Sequence, residues 1–391
     1  MTEHHYHNIL QYFRDIIRGT KWDGHLYAVG GCVRDEVLGS EIHDVDIAVD
    51  IPNGGILFTR WLQRRRQLAG APVFFHKFGT AKMRLRRFPG DEIELVQTRA
   101  EQYTDKTSRN PEVVSGNIRE DCFRRDFTVN TLYRNISTGE ILDMTGHAVD
   151  DIHAGILRTP LDPYETFDDD PVRILRCLRF AARFGWKIDE NTMEALGKCT
   201  PRLAIVSKER WASEFRKMLF GKNVRLSLGT LARIGGFKYM GALIREMAEK
   251  YPFDGDKSVL DLGIEEAARL EEAGVDDPEK RLAAFFGYAG MIKAGVRDKN
   301  GQLRYPRHEH VGSFMVAKFL KHLKIDKPTS DAVFKLMNDR GEQRRKQERE
   351  RKIEQHFIRQ RELQEEARQR RRQKAAERAA LKKGINSRPK P

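Results

Sequence analysis

A short strand, a glycine turn and a pair of aspartates follow one another near the N-terminus, and this order constrains the fold more than any other stretch. The apolar run LYAV predicts a buried strand that ends at Gly30 and Gly31. VRDEVLG then predicts one or two helical turns, and DVDIAVD alternates acidic and apolar residues as a strand does. Residues i and i+2 of a strand share a face, so Asp44 and Asp46 are expected side by side.

Two neighbouring carboxylates repel each other unless a positive charge lies between them. Mg²⁺ prefers oxygen ligands and is usually held by one or two carboxylates together with substrate phosphates. Glu94, in EIELV, is expected to supply a third carboxylate from a nearby strand, although Glu92 lies on the same face and is an open alternative. The other interpretation is that Asp44 and Asp46 are exposed acids at a sheet edge without a ligand.

The two glycines before the acidic pair favour the interpretation that this segment binds a ligand. Gly30 and Gly31 leave bare backbone N–H groups near the start of a helix, which suits a phosphate. Arg34 lies within one turn and can add charge-assisted hydrogen bonds. An anion site and an acidic pair this close in sequence predict a site for a nucleoside triphosphate with Mg²⁺.

Strand-like and helix-like patterns alternate from residue 24 to about 145, and from Asp168 onward the pattern is almost wholly helical. We predict an α+β chain. Within its head, the β-rich segments around residues 73–99 are expected to turn at PGD, and NIREDCFRRDFTVNTLYRN is expected to be helical. The predicted domains are a mixed-sheet head at 1–150, a helical neck at 151–220, a helical body at 221–339 and a basic tail at 340–391.

Positive charge is concentrated in the tail. The 391 residues have a net charge of +14, and residues 340–391 hold +11 of it, from 19 basic and 8 acidic residues. The tail has few apolar residues, so we expect a solvated basic helix or a disordered arm. It would either follow RNA phosphates without sequence preference or serve as a solubilising segment.

The spacing of the cysteines and the lengths of the apolar runs indicate the cellular compartment. The four cysteines form no CxxC pair, which argues against a zinc ribbon or a disulfide framework and predicts a cytoplasmic protein. No apolar run approaches the length of a membrane span, and the N-terminal residues lack the apolar core of a signal peptide. No pattern predicts the oligomeric state.

The motif GG-x-V-R-D followed by D-x-D resembles the nucleotidyltransferase head of class II tRNA nucleotidyltransferases and bacterial poly(A) polymerases. The resemblance covers residues 24–220, and two positions depart from the family pattern: His43 replaces a frequent Lys, and Asp169-Asp170 replaces Glu-Asp. Four further segments match the family in the same order: EDCFRRDFTVN, LDMTGHAVDDIHAGILRTPLDP, DDPVRILRCLRFAARFGW and KERWASEFRKML.

The resemblance implies Mg²⁺-dependent transfer of a nucleoside monophosphate to an RNA 3′-hydroxyl. It implies that Asp44 and Asp46 bind metal in a two-metal site, with Glu94 as a further catalytic carboxylate. A helix cannot turn Arg124 and Arg125 the same way, so only Arg124 is assigned to the nucleotide. Asp126 is assigned to the ribose 2′-hydroxyl, and the alternative is a salt bridge on a helix face.

The segment DDPVRILRCLR is expected to select the base. Asp170, Arg173 and Arg176 are spaced i, i+3 and i+6 on one broad helix face, and Arg179 adds a further nucleotide contact. An Asp–Arg pair can match the Watson–Crick edge of cytosine or adenine and reject guanine and uracil, at about 1–3 kcal/mol for each bidentate contact. The acids and Arg210 of KERWASEFRKML are expected to form salt bridges that position helices.

A second, weaker resemblance involves residues 281–325, which are similar to an HD phosphohydrolase domain. Gly287-Tyr288 stands where that domain has its His-Asp doublet, and His308 and His310 lack metal-binding partners in the sequence, so we predict a degenerate domain kept for packing or RNA contact.

The resemblance to the head family favours CCA addition to tRNA from CTP and ATP. The alternatives are a poly(A) polymerase, which the Arg-rich tail supports, A-only or CC-only addition, and a non-catalytic RNA-binding relative. The intact acids and arginines of the motifs argue against the last.

Overall fold

The structure is a computed structural model that describes residues 1–102, 112–252 and 255–386. It confirms the α+β prediction, because one mixed sheet in the head is followed by an almost wholly helical remainder. The strands of the head are β1 Leu26–Val29, β2 Val45–Val49, β3 Val73–Phe75, β4 Thr80–Leu85, β5 Phe88–Gln97, β6 Arg99–Gln102, β7 Glu112–Ser115, β8 Tyr133–Asn135 and β9 Ile141–Leu142. Its helices are α1 Glu3–Ile17, α2 Gly31–Val37, α3 Gly54–Arg64, α4 Ile118–Phe123 and α5 Ala148–Ala154.

The head sheet has seven strands in the order β3-β4-β5-β2-β1-β8-β9. Strands β2 and β5 are parallel and the other neighbours are antiparallel. Strand β1 lies between β2 and β8 inside the sheet, and all four residues of LYAV are buried. This parallel pairing aligns the acidic residues of β2 and β5 and thereby positions the site.

Two local predictions for the head are wrong. The turn between β4 and β5 lies at Arg86 and Arg87, and PGD belongs to the start of β5. The segment expected to be one helix is instead α4, a short 3₁₀ turn at Thr128–Asn130 and strand β8. Helix α4 ends at Phe123, so helical spacing does not govern the two arginines that follow it.

Helices account for nearly all of the rest of the described chain, and one apolar core runs from α1 through the neck into the body. The neck and body helices are α6 Pro163–Asp169, α7 Val172–Phe184, α8 Glu190–Cys199, α9 Lys208–Leu219, α10 Val224–Arg233, α11 Ala242–Glu249, α12 Val259–Glu272, α13 Pro278–Phe285, α14 His308–His322 and α15 Lys327–Asn386. Four two-residue strands accompany them: β10 Ile156–Leu157, β11 Lys187–Ile188, β12 Val296–Arg297 and β13 Leu303–Arg304.

The last helix, α15, carries the basic tail. It spans 60 residues, or about 90 Å at 1.5 Å per residue, and residue 340 lies inside it. Its first turns pack on the body, where Arg340 pairs with Glu266 at 2.6 Å and Arg344 with Glu309 at 3.2 Å. The body and the tail are therefore joined by one continuous helix.

Of the two histidines of the HD-like region, His308 packs within the body and His310 is exposed. His308 is buried, stacks on the ring of Tyr288, and its Nδ1 lies 3.0 Å from the Tyr305 carbonyl oxygen. Across the described residues, no group of three or more His, Cys, Asp or Glu side chains is placed to hold a metal ion, either here or at Asp44, Asp46 and Glu94. The same residues include no helix long and apolar enough to cross a lipid bilayer.

Candidate active site

The acidic pair lies at the start of β2. Asp44 directly precedes the strand and is exposed, whereas Asp46 is its second residue and is half-buried. In the parallel pairing of β2 with β5, Asp46 lies opposite Glu94. The register therefore brings Glu94 from a distant part of the sequence to the acidic pair.

The pKa of Asp46 is raised to about 6, first by burial and then by repulsion from Glu94 and, less strongly, from Asp44. Arg125 and Lys82 oppose this rise without cancelling it. A half-buried carboxylate that is held beside other carboxylates is costly unless a cation joins it. The donor set is one that a hard divalent cation accepts.

The two glutamates of β5 have different surroundings. Glu92 is about half exposed and pairs with Lys82 at 3.1 Å, away from the cleft. Glu94 is one-third exposed, lies 3.6 Å from the Lys82 ammonium and lines the cleft with Asp44 and Asp46. The surroundings of these two residues favour Glu94 as the third carboxylate.

The glycine turn joins β1 to α2. Gly30 has φ +72°, a conformation that favours glycine, and an added Cβ there would lie 3.2 Å from Arg125 Nη1. Gly31 begins α2. The side chain of Arg34 reaches the same cleft but is buried, with bonds to Asp35 and to Asn130 Oδ1 at 2.7 Å. The Arg34 guanidinium therefore stabilises the wall of the cleft.

Asp121 organises the two arginines that follow α4. Its Oδ1 accepts from Arg124 Nη2 at 2.5 Å, and its Oδ2 accepts from Arg125 Nη2 at 2.8 Å and from the Tyr133 hydroxyl. Both arginines line the cleft, so the expectation that they face different ways is wrong. The reason is that they lie beyond the end of α4 and share one carboxylate.

Asp126 lies within a dense polar network. Burial opposes its ionisation, but Arg176 and the amide of Asn130 lower the pKa of Asp126 to about 2. Its Oδ2 accepts two bonds from Arg176, at 2.5 and 2.7 Å, and its Oδ1 accepts from the backbone N–H of Phe127 and from Asn130 Nδ2. A ribose hydroxyl would have to displace one of these donors, and the network gives Asp126 a role in fixing Arg176.

The expected base-selecting residues meet at the start of α7. Asp170 precedes the helix and accepts from Arg210 Nη2 at 2.7 Å. Arg173 is mostly buried and donates to the carbonyl oxygens of Thr166 and Arg124, at 3.3 and 2.5 Å. Arg179 pairs with Glu214 at 2.7 Å. The salt bridges expected from helix α9 are therefore present.

One cleft with a volume of about 580 Å³ brings all of these groups together. Every residue that the sequence analysis assigned to catalysis or nucleotide binding lines it: Gly30, Gly31, Arg34, Asp44, Asp46, Glu94, Arg124, Asp126, Asp170, Arg173, Arg176 and Arg179. The cleft also includes residues to which the sequence analysis gave no role in binding or catalysis: Asp35, His43, Arg99, Arg125, Asn130, Phe180, Arg183 and Arg210. Arg125 belongs to the quoted motif, but the sequence alone does not show which way its side chain points. The contact of the Arg125 side chain with Tyr133 of strand β8 shows this.

We expect the Asp46→Asn variant of the metal-free protein to be more stable than the wild type at pH 7.5, by about 3 kcal/mol. The folded state raises the pKa of Asp46 from 3.8 to about 6, so ionisation of this carboxyl costs stability above pH 6, and the cost fades as the pH falls towards 3.8. Urea unfolding of both proteins between pH 4 and pH 8 measures the difference. A difference that does not shrink on acidification would contradict the repulsion argument.

The comparisons with known proteins agree with this geometry. Residues 26–158 match the family described as poly A polymerase head domain, and residues 185–241 match the family described as probable RNA and SrmB-binding site of polymerase A. The CCA tRNA nucleotidyltransferase, mitochondrial, of Saccharomyces cerevisiae is 37% identical over 222 residues, which cover 53% of this chain and 40% of that protein. The CCA-adding enzyme of Leuconostoc mesenteroides is 34% identical over 219 residues, 55% of this chain and 50% of that protein.

Solved structures extend the likeness into the helical body. The Thermotoga maritima CCA-adding enzyme complexed with tRNA_CCA superposes with a TM-score of 0.56 over 84% of this chain and 78% of that chain, at 23% identity, which shows a shared fold. The chain spans about half the length, or less, of the curated relatives it matches. The head and RNA-binding matches follow each other in order and the motif residues share one cleft, so residues 26–158 and 185–241 carry the likeness to class II CCA-adding enzymes and poly(A) polymerases.

Proposed function

We propose that the protein adds CCA to the 3′ end of tRNA, from CTP and ATP and without a nucleic-acid template. One observation carries the proposal: a single cleft is lined both by the three carboxylates of Asp44, Asp46 and Glu94 and by Asp170 and Arg173 at the start of α7. The first group suits a metal-bound triphosphate, and the second suits the edge of a base. Relatives that carry the name of this activity support the assignment.

Asp44 and Asp46 would hold the divalent cation, with Glu94 adjacent. The raised pKa of Asp46 shows an acidic group whose charge lacks full compensation within the protein, which is what a cation would supply. When bound, Mg²⁺ in one or two positions would acidify the attacking hydroxyl and offset charge on the leaving pyrophosphate. Triphosphate oxygens would complete the ligand set.

The chain's own groups would bind and orient the substrates. The glycine turn leaves room for a triphosphate close to the backbone, and Arg124 and Arg125, fixed by Asp121, face it with positive charge. The RNA 3′-oxygen would attack the α-phosphorus, and the bond from that phosphorus to pyrophosphate would break. Orientation by fixed cations in a cleft is the protein's main contribution to such a step.

Base selection would fall to Asp170 and Arg173. A cytosine or adenine amino group would donate to Asp170 in place of Arg210, which is half exposed and can move away. Arg173 would donate to a ring acceptor of the base. Because a carboxylate only accepts hydrogen bonds and a guanidinium only donates them, guanine and uracil would leave one of these groups unpaired.

The parts of the chain would divide the work as the sequence predicted, with catalysis in the head (1–150), base selection in the neck (151–220) and RNA contact by the body and tail (221–339 and 340–391). The long basic helix α15 suits contact with RNA phosphates. A cytoplasmic location belongs to the same proposal and is supported by four free cysteines, although the yeast relative is named as mitochondrial.

A poly(A) polymerase is the second candidate, because the tail holds most of the net charge and the head matches a family described by that activity. A sequence-blind basic helix would hold varied RNAs during the addition of many adenylates.

Incubation with tRNA that lacks its terminal CCA, Mg²⁺ and labelled nucleotides tests the proposal. We expect CMP to be incorporated from CTP alone, AMP to be incorporated only after two CMPs, and the reaction to stop after three nucleotides. Long A-tracts on varied RNAs would instead show a poly(A) polymerase, and addition that stops at CC or adds only A would show a partial enzyme. No incorporation by the wild type would support a binding protein.

A further inference from the structure

A second cleft lies beside the nucleotide cleft. It has a volume of about 710 Å³ and lies between helices α7 and α9 and the turn that joins α14 to α15. Arg179 and Arg183 of α7 line both clefts. The two clefts are therefore adjacent and share these two side chains of α7.

The rim of the second cleft is basic. Six cationic side chains line it against one acid, Glu209: Arg179, Arg183, Arg216, Lys217, Lys222 and Lys324. Arg179 and Lys217 both pair with Glu214, and Lys324 pairs with Glu209. Among the residues that the structure describes, Arg183, Arg216 and Lys222 have no carboxylate within ion-pair distance. Three cationic side chains outside any ion pair therefore surround the opening, and of these Arg216 is near enough to the Asp326 carboxylate to interact with it electrostatically.

The floor of the second cleft is apolar. It is formed by Ala182, Ala212, Met218, Phe220, Leu323 and Ile325. A phosphate ion alone would gain nothing from such a floor, whereas an unpaired nucleotide places its base on apolar or aromatic groups and its phosphate on cations. The combination of floor and rim matches single-stranded nucleic acid.

We propose that the second cleft binds the unpaired RNA strand just before its reactive 3′ end. The position of that end in the first cleft rests on the proposed function. Arg176 and Arg183 are seven residues apart on α7, about 10 Å along the axis, which is about three stacked nucleotides. The second or third nucleotide from the 3′ end would lie on the apolar floor, with its phosphates at Arg183, Arg216 and Lys222.

Salt dependence tests the phosphate contacts. The Arg216→Gln/Lys222→Gln double variant is compared with the wild type for binding of fluorescein-labelled tRNA that ends in CC, by anisotropy between 50 and 300 mM KCl. Two lost contacts to a single strand should reduce the slope of log K against log salt by about 1.4 and weaken binding about tenfold or more at 100 mM salt. The Lys293→Gln/Lys299→Gln variant is the matched control, because both lysines are exposed, lie outside both clefts and have no ion partner among the described residues. Equal slopes for the two double variants would overturn the proposal.

A positional probe tests the floor. In tRNA that ends in CC, whose last three nucleotides are unpaired, 2-aminopurine placed second or third from the 3′ end should change its fluorescence on binding to the wild type and lose most of that change in the Arg216/Lys222 variant. The same label twelve nucleotides upstream should respond equally in both proteins. A response at the 3′-proximal positions that the double variant retains would overturn the placement.

These binding measurements do not need turnover, so they separate two failures. If the wild type incorporates no nucleotide but the double variant still shows the predicted change in slope, the proposed function is wrong and the RNA-binding role of the second cleft stands. Incorporation with an unchanged slope would reject the second cleft alone. Free CTP that binds at two sites per chain, falling to one in the double variant, would assign the cleft to a nucleotide and overturn the RNA proposal.

Discussion

Asp46→Ala should lower the incorporation of CMP into tRNA lacking its CCA by at least about a thousandfold. Asp46 lies opposite Glu94 and beside Asp44, and the proposed cation depends on this set of oxygens. Charge stabilisation by a bound metal contributes several kcal/mol to a transition state, and each 1.36 kcal/mol is a factor of ten in rate. Single-turnover incorporation of labelled CMP at saturating CTP and Mg²⁺ measures the loss.

Glu92→Ala is the matched control, because Glu92 is also an acid on these strands but is half exposed and lies outside the cleft. It should keep incorporation within a few-fold of the wild type. Asp44→Ala should follow Asp46→Ala, and both variants should keep the cooperative unfolding of the wild type. Substantial residual incorporation by Asp46→Ala would show that the Asp46 carboxylate is not part of the proposed metal site.

The sequence was sufficient for the strand–turn–helix order around Gly30 and Gly31, because apolar runs and glycines report local structure directly. It was also sufficient for the i, i+2 placement of Asp44 and Asp46. The choice between Glu92 and Glu94 needed the parallel register of β2 with β5, which joins segments nearly fifty residues apart. Such a register depends on packing across the whole sheet, and neither strand specifies it alone.

The segment after α4 shows a different limit. Its arginines were assigned from helical geometry, but the helix ends at Phe123, and the two guanidiniums then share Asp121. Asp126 was assigned to a ribose, yet its oxygens are filled by Arg176, Asn130 and a backbone N–H. Motif residues can identify the site correctly. Only tertiary contacts, however, distinguish the residues that face a ligand from the residues that position them.

Asp121→Ala should lower the free energy of unfolding by about 3–5 kcal/mol, the range for removing one partner of a buried ion pair. The Asp121 side chain is fully buried, and its oxygens accept from Arg124, Arg125, the Tyr133 hydroxyl and the backbone N–H of Arg99. Although burial opposes ionisation, Arg125 and Arg124 hold the pKa of Asp121 well below its usual range. The stabilisation is therefore complete above the unfolded pKa of about 3.9 and is lost as the pH falls through the lower folded pKa.

Urea unfolding at pH 7 measures the loss, with Glu140→Ala, an exposed acid of the head, as the control expected to change stability by less than about 0.5 kcal/mol. A double-mutant cycle with Arg125→Met sharpens the test, because removing the cation that Asp121→Ala leaves unpaired should restore part of the stability. Additive losses would mean that Asp121 and Arg125 act independently, and the arrangement of the two arginines at the cleft would then need another cause. A coupling energy of 1 kcal/mol or more between Asp121 and Arg125 would show that one carboxylate both stabilises the head and positions the two guanidiniums at the proposed triphosphate position.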